Sequence, residues 1–292
     1  MVYPEITHIK NNPTLEGQVK LVQNVVYSTA TGEDLKMTLF VPWNMDCPEI
    51  EKEPKPLLVF VQGSAWTTPD FDFEIPQLSA FARKGYVVAT VGHRDTGKGH
   101  PFPAFLQDVK CAIRFLRKHA GEYGIDPERV AIWGTSSGAN TALLVGLTGD
   151  DPRYETEEHQ GFSDAVNAAA ECFGPTDLVA MGGENLENSM FRDVIHNWFG
   201  PDSSRWVETA REMSPVTRVE EGKEYPPFLL LHGTADPVVP FDQMIRMYHK
   251  LLDCGAEAEA YQIDGAVHEH DFWSGEVYQI IEKFIGKYIQ RK

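Results

Sequence analysis

Short, almost unbroken apolar runs alternate along this chain with longer stretches in which apolar side chains recur every three or four residues. Pro56 to Val61 (PLLVFV) and Tyr86 to Val91 (YVVATV) carry apolar residues on both faces, as strands buried between two layers do. Leu35 to Val41, Arg129 to Trp133 (RVAIW), Ala168 to Phe173, Pro227 to Leu231 (PFLLL) and Glu259 to Ile263 read as further strands. Between Ala104 and His119 the apolar positions Phe105, Val109, Ala112, Ile113 and Leu116 follow helical spacing, and Gly121 and Gly124 supply stop signals. Helices are also predicted over roughly Ser137 to Leu147, Asp242 to Leu252 and Glu276 to Ile289.

Strands alternating with amphipathic helices predict an α/β fold whose mostly parallel sheet is covered on both faces. No internal repeat is present, and the charged loop Pro48 to Pro56 is too short to separate domains, so residues 1–292 read as one domain. The stretch Leu178 to Val219 breaks the rhythm: it is polar and glycine-bearing, yet holds Met181, Met190, Phe191, Trp198, Phe199 and Trp206. That mixture predicts a small helical cap inserted at about residues 178–219, over one end of the sheet.

Composition narrows the partners. A hydrophobic content of 42% in 292 residues suffices for a large core, and a net charge of −17 disfavours nucleic acid and strongly anionic substrates. No run approaches ~18 consecutive apolar residues, and the opening MVYPEITHIKNN lacks a signal-peptide pattern, so a cytoplasmic protein with no membrane partner is expected. Cys47, Cys111, Cys172 and Cys254 show no CxxC pair and no metal-ligand spacing, which suits reduced structural thiols. Neither GxxxxGK[ST] nor GxGxxG occurs, and His268-Glu269-His270 lacks a third placed ligand; no metal and no cofactor are expected. The cationic end of the helix bearing Arg114, Arg117, Lys118 and His119 suits the helix dipole. The pattern leaves a homo-oligomer open.

The candidate chemistry sits at strand ends. Gly134-Thr135-Ser136-Ser137-Gly138 matches GxSxG between a predicted strand and a predicted helix, where a tight turn exposes the central hydroxyl. Ser136 is the candidate nucleophile, and Ser137 offers its backbone N–H to an oxyanion. Asp236 follows the strand Pro227 to Leu231, and His268 follows Glu259 to Ile263, giving the order serine, aspartate, histidine. His270 is the fallback base, and Asp264 or Asp271 the alternative acid. After the first buried strand, Gln62-Gly63-Ser64-Ala65-Trp66 brings backbone amides to the same end; Ser64, then Gly63, are the expected further oxyanion donors. Trp66, Trp273 and Trp198 are candidates for an apolar or sugar-stacking wall around the substrate.

These segments, with Phe102-Pro103-Ala104, Asp108 and Gly124-Ile125-Asp126-Pro127-Glu128-Arg129-Val130, resemble the bacterial esterase/lipase branch of the α/β-hydrolase superfamily, from about Leu35 onward. The likeness extends to the acetyl-xylan and feruloyl esterases and to hormone-sensitive-lipase-like esterases. It implies an eight-stranded sheet, a cofactor-free Ser-Asp-His mechanism and acyl-enzyme chemistry on carboxylic esters. Gln62 and Ser64 depart from that family's HGG pattern, though backbone amides survive both replacements, and Arg94 reads as a structural ion-pair residue. The expected function is a serine carboxylester hydrolase acting on small-molecule or oligosaccharide esters, with acetyl or hydroxycinnamoyl groups as candidate acyl parts. An amide or aryl-formamide hydrolase, or a peptidase, would use the same triad, and a non-catalytic receptor or scaffold on this fold is the third reading.

Overall fold

The apolar runs assemble into one sheet in a computed structural model that describes residues 5–43, 53–182 and 192–290. Its strands are β1 (Val19–Ser28), β2 (Leu35–Pro42), β3 (Lys55–Val61), β4 (Val87–Val91), β5 (Ile125–Thr135), β6 (Ala168–Cys172), β7 (Phe228–Gly233) and β8 (Ala258–Ile263). They lie in the order β1-β2-β4-β3-β5-β6-β7-β8. β2 pairs antiparallel with both β1 and β4, and every pairing from β4 across to β8 is parallel. The expected eight-stranded α/β sheet is therefore present.

Helices α1 (Ile75–Arg83), α2 (Ala104–Lys118), α3 (Ala120–Tyr123), α4 (Ser137–Leu147), α5 (Leu178–Gly182), α6 (Arg192–Phe199), α7 (Trp206–Glu212), α8 (Asp242–Asp253) and α9 (Gly275–Ile289) surround it. The pleat of β3 sends Leu57, Val59 and Val61 to one core, where Val109, Leu116, Leu144 and Met247 of the flanking helices pack. Leu58 and Phe60 face the other, against Leu78 and Phe81 of α1 and Ile281 and Ile285 of α9. Burying each such side chain contributes about 1.5–3 kcal/mol, which is why the two-sided runs are the best-defined strands. Every residue of α4 is buried, as an apolar helix wedged between sheet and neighbours must be.

Three elements were absent from the expectation, β1, α1 and the single-turn α3, which spans the stop signal Gly121. β1 is an edge strand with register breaks after Val22 and Val26, and Asn24 there has φ 58°, so its apolar residues do not alternate cleanly. α1 is short and begins with proline near its start, which a helix accommodates only in its first turn. Within 178–219 the described residues form α5, α6, α7 and a 3-10 turn at Pro215–Arg218. Met190, Phe191, Cys47 and the start of the Pro48 to Pro56 loop lie outside the described residues. Cys111, Cys172 and Cys254 are free thiols. No helix among the described residues is long and apolar enough to cross a membrane.

The α2 cations need a correction. Arg114 does not serve the helix dipole from the surface: it is 1% exposed and reaches Asp164 at 2.5 Å, and Lys110, also buried, reaches the same carboxylate at 2.5 Å. Helical spacing turns both side chains inward, where only an ion pair tolerates them. Arg94 is, as expected, a structural pair, with its guanidinium on Asp108 at 2.8 Å. Asp164→Asn leaves two buried cations without their counter-charge. It is expected to lower unfolding stability by about 3–5 kcal/mol in urea titration.

Candidate active site

The strand order reverses at β3, with β4 on one side and β5 on the other, so the loops after β3 and β5 diverge above a crevice at the strands' carboxyl ends. Val61 pairs with Gly134, which sets Gly63 directly beside the turn carrying Ser136. Ser136 has φ 51° and ψ −120°, a conformation that costs an L-residue about 1–3 kcal/mol. Its N–H bonds Cys172 O at 2.9 Å, and its own carbonyl accepts from Ala139 N–H at 3.0 Å. The flanking glycines are steric requirements. A Cβ on Gly134 would sit 2.1 Å from Gly138 O, and one on Gly138 would sit 2.0 Å from Val61 O.

The loops after β7 and β8 are stitched together by Thr234 N–H to Ile263 O at 3.1 Å and Ala235 N–H to Ala266 O at 3.0 Å. That stitching brings Asp236 beneath His268. Asp236 Oδ2 lies 2.7 Å from His268 Nδ1, and His268 Nε2 lies 3.0 Å from Ser136 Oγ. The three side chains remote in sequence thus form one hydrogen-bonded chain. Burial pushes the Asp236 carboxyl up, but hydrogen bonds from His232, His268 and the Val239 and Val238 N–H groups outweigh it and hold the group well below the usual carboxylate range. Asp236 is thereby an anion suited to fixing the imidazole with its proton on Nδ1 and its lone pair toward the serine. Phe173, itself at φ 47°, packs edge-on against the imidazole with ring centres 4.7 Å apart.

The alternatives fall away on geometry. His270 is exposed at the start of a 3-10 turn. Asp271 Oδ1 accepts the Val267 N–H at 2.9 Å and so braces the histidine loop, while Asp264 pairs with Gln262. His232 is a residue the sequence reading left without a role. Its Nε2 is 2.9 Å from Val239 O and 3.4 Å from Asp236 Oδ2, so that nitrogen carries the proton. It is fully buried behind Asp236, next to Glu171, whose carboxyl burial pushes up to about 7. The motif His232-Gly233-Thr234-Ala235-Asp236 held the signal.

The loop after β3, expected to supply oxyanion donors, is bonded differently. Gly63 donates its N–H to Thr135 Oγ1 at 2.8 Å, and Ser64 donates its own to Ser137 Oγ at 2.9 Å. The two residues flanking Ser136 thus moor the loop through their hydroxyls, so Gly63 is no free donor, and the Ser64 amide is engaged by Ser137. Gly63 matters for closeness instead, because a Cβ there would meet Ser136 Cβ at 2.7 Å. Among the described residues, the Ser137 and Ala65 N–H groups have no protein acceptor. Ala65 (φ 50°) and Trp66 (φ 58°) are consecutive left-handed residues that turn the loop over. Gln62, standing where the resembled family has histidine, accepts the Asp70 N–H at 2.5 Å and bonds the Glu74 carboxyl.

Two of the three tryptophans are supports. Trp66 is 2% exposed, edge-on to Trp198 with ring centres 5.0 Å apart, so it lies beneath the loop and not against a substrate. Trp198, 8% exposed, donates its indole N–H to Ala65 O at 3.1 Å and fastens α6 to the loop. Bulky aromatics after a glycine-rich turn fill the space that the small residues open. Trp273 is half-buried, stacked on Tyr278 at 5.0 Å, and donates to Glu269 Oε2 at 2.7 Å.

Glu74 lies under the same loop, where burial and then the neighbouring Glu269 and Asp70 push its carboxyl from 4.5 up to about 8. The folded state therefore binds more protons than the unfolded one across that window, and stability contributed here falls as pH rises through it. Glu74→Gln is expected to flatten the loss of unfolding stability between about pH 5 and about pH 8, read as urea midpoints. Gly63→Ala is expected to displace Ser136 and lower kcat by about tenfold or more, since displacements near 1 Å can cost ~100-fold; unchanged ester turnover would contradict the steric account.

A family model described as BD-FAE matches residues 44–251. Esterase LipC of Mycobacterium tuberculosis is 30% identical over 247 residues, covering 84% of this chain and 59% of LipC. Esterase LipQ of the same organism is 32% identical over 221 residues, covering 74% of this chain and 50% of its own length. The chain thus spans little more than half the length of these curated relatives. Among solved structures, a truncated carbohydrate esterase from gut microbiota superposes with a TM-score of 0.77 at 22% identity, over 96% of this chain and 100% of that one. A propionate-bound esterase, Est2 of the planctomycete Thermogutta terrifontis, gives 0.73 at 23% identity, over 96% and 98%. With most of its sheet and both loops of the crevice inside the matched region, the chain belongs to the BD-FAE family of α/β-hydrolases.

Proposed function

We propose that this protein is a serine carboxylester hydrolase working through an acyl-enzyme on short-chain or carbohydrate-linked acyl esters. The observation that carries the reading is the unbroken chain Ser136 Oγ, His268, Asp236, at 3.0 Å and 2.7 Å. A neutral serine hydroxyl is a weak nucleophile near neutral pH, and His268 is in reach to take its proton as the Oγ attacks the ester carbonyl. Asp236 stabilises the imidazolium formed in that step. The tetrahedral oxyanion develops beside the Ser137 and Ala65 N–H groups, and Ser64 can add its own if Ser137 Oγ yields. His268 then returns the proton to the departing alcohol, and water repeats the sequence on the acyl-enzyme.

Relatives named as esterases support the reaction class. For the acyl group, the Thermogutta esterase holds propionate in one structure and butyrate in another, which favours short chains here. The carbohydrate esterase favours a sugar-linked ester. The helices of residues 178–219 serve as the proposed cap, and the α6 contact from Trp198 to Ala65 O ties it to the oxyanion loop.

Ser136→Ala is expected to abolish hydrolysis of p-nitrophenyl acetate with unchanged circular dichroism. Asp236→Asn is expected to lower kcat by roughly 10⁴-fold through the wrong imidazole tautomer. Near wild-type turnover in the serine variant would overturn the reading, and matched ester and amide substrates should differ in favour of the ester.

A further inference from the structure

Away from the triad, Cys111 on α2 meets Glu158 and His159 of the loop between α4 and β6. The Cys111 Sγ, a Glu158 carboxylate oxygen and a His159 ring nitrogen all lie within 4.8 Å of one another. Cys111 is 2% exposed. His159 Nε2 is 2.7 Å from Tyr27 O, and because a carbonyl only accepts, that nitrogen carries the ring proton. Nδ1 is consequently a bare lone pair. It is buried and has no hydrogen-bond partner, and the same holds for Glu158 Oε2. Two buried acceptor atoms without a donor, His159 Nδ1 and Glu158 Oε2, beside a thiol form an arrangement that a cation would relieve.

The surroundings hold these three groups in place. The other Glu158 oxygen takes the Thr29 N–H at 3.5 Å, with Ser28 and Ala30 also bonding this carboxylate. Phe115 packs edge-on to the His159 ring with centres 5.3 Å apart, fixing its plane. His159 has φ 59°, a strained value for a non-glycine residue, and the turn it makes carries the ring back toward α2. A ring N–H anchored on a backbone carbonyl, with the opposite nitrogen free, is how metal-bound histidines are generally oriented.

We propose that Cys111, Glu158 and His159 form a Zn²⁺ site, with one thiolate, one carboxylate and one imidazole as ligands and water in the fourth position. Sulfur, nitrogen and oxygen donors in a tetrahedral set suit zinc, at about 2.3 Å, 2.0–2.1 Å and 2.0–2.2 Å. Donors at those radii lie closer together than 4.8 Å, so the site closes by a small inward movement of the three side chains. On binding, the Cys111 S–H bond breaks, its proton goes to solvent and a Zn–S bond forms. The two anionic ligands balance the ion's charge. The ion would clamp α2, the 155–163 loop and the β1–β2 turn, and no triad residue takes part.

The test is Zn²⁺ titration of chelator-treated full chain by calorimetry, with Co²⁺ as the spectroscopic probe. One equivalent is expected to bind, with a thiolate-to-cobalt charge-transfer band, and Zn²⁺ is expected to raise Tm. His159→Gln and Glu158→Gln, both in a loop, should each weaken binding by more than roughly 10–100-fold, the loss caused by removing even an outer partner of a metal ligand. They should also abolish the Tm response and leave ester hydrolysis unchanged. Cys111→Ser should remove the charge-transfer band. Absence of one-to-one binding, a cobalt spectrum without thiolate character, or affinity unaltered by the two loop substitutions would overturn the proposal.

Discussion

Everything in the crevice depends on one strained residue held in place by crowding. Ser136 occupies a backbone conformation unfavourable for an L-amino acid, and its local bonds are the first turn of α4, from the Ala139 and Asn140 N–H groups to its carbonyl. The compensation is tertiary: β6 accepts its N–H, β3 passes within contact of Gly138, and the loop after β3 lies on its Cβ side at Gly63. A two-sided parallel sheet makes such confinement affordable, because the buried cores on both faces fix β3, β5 and β6 independently of the turn.

The mooring of the loop by Thr135 and Ser137 follows from the same closeness. With no room for larger side chains at the glycines, the residues between them can reach across, and their hydroxyls accept the first two loop amides. What is left facing outward is the start of α4 and the left-handed turn at Ala65, held from below by Trp66 and Trp198. Charge is distributed unevenly. Asp236 is kept ionised by four donors, whereas Glu74 and Glu171 are buried without enough of them and rise, so the carboxyl beside His268 is the one the fold solvates with its own groups.

Most of the sheet, and the three side chains that meet at Ser136, His268 and Asp236, were legible because they rest on short-range signals: two-sided apolar runs, a GxSxG turn, and polar residues just beyond strand ends. β1 was not, since its bulges destroy alternation, although α1 did carry Ile75, Leu78, Phe81 and Ala82 at near-helical spacing. The side of a residue that faces inward is a long-range fact. Arg114 looked like a helix-end cation and proved to be buried on Asp164; Trp66 looked like a substrate wall and proved to be a floor. Whether an amide such as that of Gly63 points at a ligand or at a hydroxyl depends on loop geometry that no local pattern encodes. Cys111 had no partner in sequence spacing because its neighbours come from a loop that meets α2 only in the folded chain.

The most direct test of the central claim is covalent labelling of the native protein with a fluorophosphonate, followed by peptide mapping in a mass spectrometer. A single phosphonyl adduct on the hydroxyl of Ser136, lost when the protein is unfolded in urea before exposure, is the result this account predicts. No adduct, or one carried by another residue such as Ser64 or Ser137, would contradict it.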